Sequence, residues 1–182
     1  MNFKIRLIEE EDADFILKLR NNPKLNRYLS PTSISVDDQI KWIINYKKKE
    51  KNEKEFYYVI FENGTKKGLY RLYNINNVSF TIGSWLFDVC EDKQLPVITD
   101  LLMADIGYYE LNKKVLLFDV RKENKKVIQY HALKNPLIYS DDELNNYYLL
   151  TKEHWDESKQ NVLSFFGISQ LMFESFKTNA FL

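Results

Sequence analysis

One cysteine and two histidines are all the soft metal-binding chemistry that this 182-residue chain offers. Cys90 alone closes no internal disulfide, which favours a reducing compartment, so a cytoplasmic location is expected. Three such residues are also too few for a structural zinc site. Charge of either sign is not in excess: Lys plus Arg and Asp plus Glu number 26 each. No net field therefore draws nucleic acid, whose binding needs a clustered basic surface. The lysines between Lys47 and Glu55 (KKKEKNEKE) are interleaved with acids, as on a solvated helix end rather than a phosphate-binding patch. No apolar run approaches the roughly 20 residues that span a bilayer. The start, MNFKIRLIEEED, reads as a strand followed by acids, not as a secretory signal.

What is present fits one soluble domain with a substantial core: 45% of the residues are hydrophobic and 15% aromatic. Phe3 to Ile8 alternates like a strand, and Glu9 to Arg20 reads as a helix with Phe15, Ile16 and Leu19 at helical spacing, stopped by Asn21, Asn22 and Pro23. Ser30 to Ser35 is expected as a loop. Ser35 then caps a second helix, with Asp37 and Asp38 in its first turn and Ile40, Trp42, Ile43 and Ile44 as apolar positions. Phe56 to Phe61 and Lys67 to Tyr73 form two strands around the Asn63-Gly64 hairpin turn. Val78 to Phe87 is a further strand and Val97 to Leu111 a helix. Leu137 to Ser140 and Asn146 to Thr151 are two last strands around an acidic turn.

The stretch from Val115 to Pro136, VLLFDVRKENKKVIQYHALKNP, is the most informative. Val115, Leu116, Leu117, Phe118 and Val120 have the length and composition of a buried strand. A polar turn ends at Asn124, and an amphipathic helix follows, with Val127, Ile128 and Leu133 on its apolar side. At the carboxyl end of a strand in an open α/β sheet, backbone amides and a helix N-terminus can meet a ligand. Asn124 also reads simply as a helix cap, and Tyr130 as core.

That strand, Glu123-Asn124 turn and helix, with Val120, Val127, Ile128, Tyr130 and His131 in place, resemble motif B of the GNAT N-acetyltransferases. The element order β-α-α-β-β-β-α-β-α-β-β from Phe3 to about Thr151 is similar to the same family. The resemblance implies an α+β fold of three-layer type: a mixed, mostly antiparallel seven-stranded sheet flanked by helices. Residues 1–151 would form this domain. Residues 152–182 are extra and apolar, and are read as one terminal helix packed on the core or on the partner of a homodimer. LRNNP, DDQIKWI and FTIGSWLF resemble the branch containing ribosomal-protein and nucleotide-aminosugar N-acetyltransferases.

The resemblance also implies a chemistry and its residues. Acetyl-CoA would be the co-substrate, its arm inserted between the fourth and fifth strands like a short extra strand. Amides of Trp85, Leu86 and Phe87 would hold the thioester oxygen and pantetheine, and Asn124 the pantetheine arm. The pyrophosphate loop of the family carries glycines, whereas Glu91 to Ile98 has none, and Pro96 removes a donor. Lys93 and free amides of Val97 and Ile98 at a helix start would then take the anion. His131, with Tyr130 as alternative, is the expected general acid; Asp88 or Asp119 is the base, although Asp119 equally suits a turn cap. Arg20, Asn21, Tyr28 and Asn146 are the substrate candidates, Arg20 for a nucleotide diphosphate. The expected reaction is acetylation of a primary amine, that of a nucleotide-linked deoxyaminosugar in surface polysaccharide biosynthesis. A protein N-terminal acetyltransferase and a non-catalytic binding module with a degenerate loop are the alternatives.

Overall fold

The computed structural model describes residues 3–31 and 35–180, so positions 32–34 of the expected loop lie outside the described residues. Seven strands form one sheet in the order β1-β2-β3-β4-β5-β7-β6. They are β1 (Phe3–Leu7), β2 (Phe56–Glu62), β3 (Thr65–Tyr73), β4 (Ser79–Phe87), β5 (Val115–Arg121), β6 (Leu137–Asp141) and β7 (Asn145–Thr151). Every neighbouring pair is antiparallel except β4 and β5. The β2–β3 hairpin turns on Asn63 and Gly64, at φ 49° and 77°, the left-handed values that this turn requires and that asparagine and glycine tolerate best.

The sheet is buried on both faces at β2 to β4 and open to solvent at the β6 edge, and the alternation of the central strands shows how. Tyr58 and Ile60 of β2 and Tyr70 and Leu72 of β3 point into the larger core, while Tyr57, Val59 and Leu69 point into the smaller one. The smaller core is closed by α1 (Ala13–Arg20) and α2 (Val36–Lys51), the larger by α3 (Leu95–Asp105) and the C-terminal helices. A one-turn 3-10 segment, Glu10–Asp12, precedes α1. On α2, Ile43 is fully buried whereas Ile44 lies open to solvent and Trp42 only half covered, so the helix presents a narrower apolar stripe than its composition suggests. The Ser35 hydroxyl accepts from the Asp38 amide and caps it, as expected.

The chain beyond β7 forms two helices, α5 (Lys152–Phe165) and α6 (Gln170–Asn179), rather than one. Gly167, at φ 64°, breaks them apart. Trp155, Val162, Leu163, Phe173 and Phe176 sit in the larger core. Asp105 of α3 anchors the pair: its carboxylate accepts from the Trp155 indole at 2.6 Å and from Lys159 at 3.1 Å.

Candidate functional site

Strands β4 and β5 pair only over Ser79–Thr81 and Val115–Leu117. Beyond that they part, and a cleft of about 390 Å³ opens between them. The opening has a local cause. Leu69 faces Leu86 and Arg71 faces Gly83, so Ser84 and Trp85 on β4 stand against Tyr70 alone on β3. This is a β-bulge, and Ser84 takes it at φ 50°, a conformation costly for a residue with a side chain. A bulge leaves the ladder interrupted and bends the strand. Here it aims Trp85 into the cleft.

From the opposite side, β5 turns into α4 (Lys125–Ala132) through Asn124. The Asn124 side chain accepts from the Val127 amide at 3.4 Å, so it caps the helix and lines the cleft at once. The cap reading is therefore seen directly, and the capping residue stands in the cleft wall. The rest of the helix then places its two aromatic positions differently. His131 lines the cleft with its ring packed on Phe118 at 4.3 Å. Tyr130, about 100° around the helix, points into the protein.

Below the cleft lies a buried polar cluster. The Asp100 carboxylate accepts from the hydroxyls of Tyr70 and Tyr130, each at 2.5 Å, and from the Lys134 ammonium. Burial disfavours the Asp100 charge, but the Lys134 charge and these bonds outweigh it and hold the carboxyl below its ordinary value. Burial and the Asp100 charge hold the Tyr130 phenol well above its usual range. Its proton is committed to Asp100, which removes Tyr130 as a general acid. Burial, helped by Lys134, pushes the His131 imidazole down to about 3. The ring is therefore neutral at pH 7 and carries no surplus proton. Its buried Nδ1 has no partner, so a proton there would be unsatisfied and is better placed on Nε2.

The remaining expected residues separate into two groups. Asp119 lines the cleft on β5; its walls strip part of the solvent and raise the carboxyl, with Arg121 offsetting this. Asp88 is elsewhere, bonded to Lys18 at 2.8 Å, and that bond with the Val89 amide holds its carboxyl low. A carboxylate so occupied and outside the cleft is no base, which corrects that expectation. Arg20 and Tyr28 line the cleft, the latter tied to the Glu123 carbonyl at 3.3 Å. Asn21 and Asn146 do not: Asn21 ends α1, and Asn146 pairs with Val120 and donates to Tyr148. Leu86 turns into the smaller core, and Phe87 packs against the larger one.

The glycine-free loop is shaped by a residue far away in sequence. Glu62, buried at the end of β2, accepts from the amides of Glu91 at 2.9 Å and Asp92 at 2.7 Å. The Asp92 side chain takes the Gln94 amide at 2.7 Å. The Ile98 amide is bonded to the Gln94 carbonyl at 2.9 Å, so it is not free as the sequence suggested, and Lys93 reaches the Cys90 carbonyl at 3.1 Å. The Val97 amide, at the start of α3, keeps no partner among the described residues. Two internal carboxylates thus do what glycine flexibility does elsewhere, and they leave fewer amides for an anion.

A second cavity, about 360 Å³, lies between α1, α2 and the sheet. Arg20, Arg71 and Ser84 line both cavities, so the two meet at the bulge. Arg71 is paired with Glu55 at 2.6 Å, and its guanidinium lies over the rings of Tyr73 and Trp42. Trp42, Arg71, Tyr73 and Ser84 escaped the sequence reading because each belongs to an ordinary helix or strand pattern; only the bulge gathers them. Among the described residues no group of three or more His, Cys, Asp and Glu side chains could hold a metal ion, and no helix is long and apolar enough to cross a membrane.

Comparison with known proteins agrees with this geometry. Residues 2–132 match the family described as acetyltransferase (GNAT) domain. Among solved structures, apo FdhC, a nucleotide-linked sugar GNAT, is 34% identical, with 92% of this chain and 94% of that one covered and a TM-score of 0.78. The ribosomal-protein-S5-alanine acetyltransferase from Vibrio fischeri is 15% identical over 85% and 96% of the two chains, with a TM-score of 0.71. Campylobacter jejuni PseH in complex with acetyl coenzyme A is 18% identical over 82% and 99%, with a TM-score of 0.62. No curated protein matches the chain.

Proposed function

The chain belongs to the acetyltransferase (GNAT) family, and on that premise we propose that it transfers acetyl from acetyl-CoA to the amine of a nucleotide-linked aminosugar. The observation that carries the proposal is the junction of the two cavities at Arg20, Arg71 and Ser84. The thioester arm fits the splay between β4 and β5, and the acceptor enters from the side of α1 and α2. Reactive carbon and amine then meet at the bulge, where their approach is an effectively intramolecular one.

Several residues of the cleft have a defined task in this scheme. Asn124 and the interrupted β4 edge hold the pantetheine arm. Asp119, with its raised carboxyl, takes the proton that the amine sheds on attack, directly or through one water. His131 serves as a neutral N–H donor toward the departing sulfur rather than as an imidazolium acid. The diphosphate of the cofactor finds the Val97 amide and Lys93, a smaller set than a glycine loop would give.

The electrostatics of the acceptor side support an anionic acceptor over a polyamine. Two guanidinium groups line that cavity, and the only carboxylate among its lining residues is Asp38. Arg71 is already paired with Glu55, so Arg20 is the guanidinium that would meet a nucleotide diphosphate. The 34% identity to a nucleotide-linked sugar GNAT over nearly the full chain supports the same class. The test is CoA release from acetyl-CoA with a panel of nucleotide-linked aminosugars, peptides with free N-termini, and spermidine. Turnover with at least one nucleotide-linked aminosugar and none with the peptides or spermidine is expected. Preferred turnover of peptides or spermidine would overturn the proposal.

A further inference from the structure

The wall of the second cavity contains a polar group that the fold does not use. Tyr57 of β2 is 2% exposed, yet its hydroxyl has no hydrogen-bond partner. A buried phenol left unpaired is a cost to the fold relative to one that is satisfied. The ring explains itself: it packs edge-on against Trp42 at 5.9 Å and Tyr46 at 6.4 Å. The hydroxyl does not, since phenylalanine would pack the same way without the penalty. Its polar neighbours are the guanidinium groups of Arg20 and Arg71 and the Ser84 hydroxyl; Arg20 and Ser84 lie close enough to favour the ionised phenol, but neither meets hydrogen-bond geometry to it. Those three residues are the ones shared by both cavities.

We propose that Tyr57 is the specificity-determining residue for the acceptor, and that its hydroxyl pairs with a ring hydroxyl of the sugar beside the reacting amine. The proposal rests on the aminosugar reading above and adds the residue that recognises the ring. Burial raises the phenol, so the group keeps its proton and donates. Gln39, also buried in this wall, offers a second polar contact to the same ring, and Arg20 holds the anionic arm. The half-covered face of Trp42 then lies beside the acceptor. A site with an unpaired buried donor rejects an acceptor that lacks the matching hydroxyl, because the donor stays unsatisfied in that complex.

The test compares wild type and Tyr57→Phe with a nucleotide-linked aminosugar and its analogues that each lack one ring hydroxyl. Wild type should lose roughly 10- to 100-fold in kcat/KM on one analogue. Tyr57→Phe should show no such preference, with KM for acetyl-CoA unchanged and a melting temperature equal to wild type or higher. If Tyr57→Phe discriminates among the analogues as wild type does, the assignment of Tyr57 is wrong while the aminosugar reading stands. A melting temperature several degrees lower would place the hydroxyl in the fold's own bonding and also overturn it. If wild type acetylates no member of the panel, the aminosugar reading falls and takes this inference with it.

Discussion

Lys134 and Asp100 form an ion pair in which neither side chain has any solvent exposure. The pair sits under the cleft, with the hydroxyls of Tyr70 and Tyr130 completing the shell of Asp100. Two buried charges are tolerated because each has its counterpart and the carboxylate is fully bonded. Removing one partner strands the other. Replacing Lys134 by methionine should therefore cost about 3–5 kcal/mol in urea unfolding, whereas replacing Lys134 and Asp100 together by apolar residues should cost less than the single change. A single variant as stable as wild type would show that the pair is not the charged one described.

The neutral state of His131 has a pH signature. Its folded value, about 3, lies below the ordinary 6.5, so between these values the unfolded chain binds the additional proton. Stability from this residue is complete above about pH 6.5 and is lost as pH falls toward 3. The slope approaches about 1.4 kcal/mol per pH unit in the middle of that window. Denaturation curves measured from pH 7 to 4 should fall less steeply for His131→Leu than for wild type. The same neutrality predicts that kcat shows no limb near pH 6.5 assignable to His131, and that His131→Ala lowers turnover with little change in acetyl-CoA affinity.

Asp119 lines the cleft and is the base of the proposed scheme. Asp119→Asn should lower kcat/KM by roughly 100- to 10,000-fold, the ordinary contribution of general-base catalysis. The shift in melting temperature produced by acetyl-CoA should stay as in wild type, because Asp119 takes no part in holding the cofactor. Unchanged turnover would move the base elsewhere.

Glu62 gives the loop that starts at Glu91 its shape from the end of β2. Glu62→Ala leaves the Glu91 and Asp92 amides without their acceptor and should destabilise the protein by about 1–3 kcal/mol. Acetyl-CoA affinity should drop as well, read as a smaller thermal shift at equal ligand concentration. If the affinity holds, the loop does not contribute to the diphosphate site.

Local pattern was enough for much of this molecule. The alternation in β2 and β3, the Asn63-Gly64 turn, the Ser35 cap and the run from Val115 through the Asn124 corner are short-range matters of side-chain period and backbone preference. They set where strands and helices form, and the order of those elements set the family. Asn124 was legible as a cap because a helix N-terminus needs an acceptor, and the corner that it caps lines the cleft.

Tertiary packing decided the rest. Nothing in the sequence near Glu91 signals that Glu62, 29 residues upstream, folds the loop. Tyr130 and His131 are neighbours in sequence, and both have the chemistry of a proton donor. Only the packing of α4 sends one to Asp100 and keeps the other neutral in the cleft wall. The bulge at Ser84 depends on register between two strands, so the meeting of the two cavities there is a property of the sheet and not of any segment. Backbone preferences act over a few residues; desolvation and charge pairing act through space, and they assign the roles.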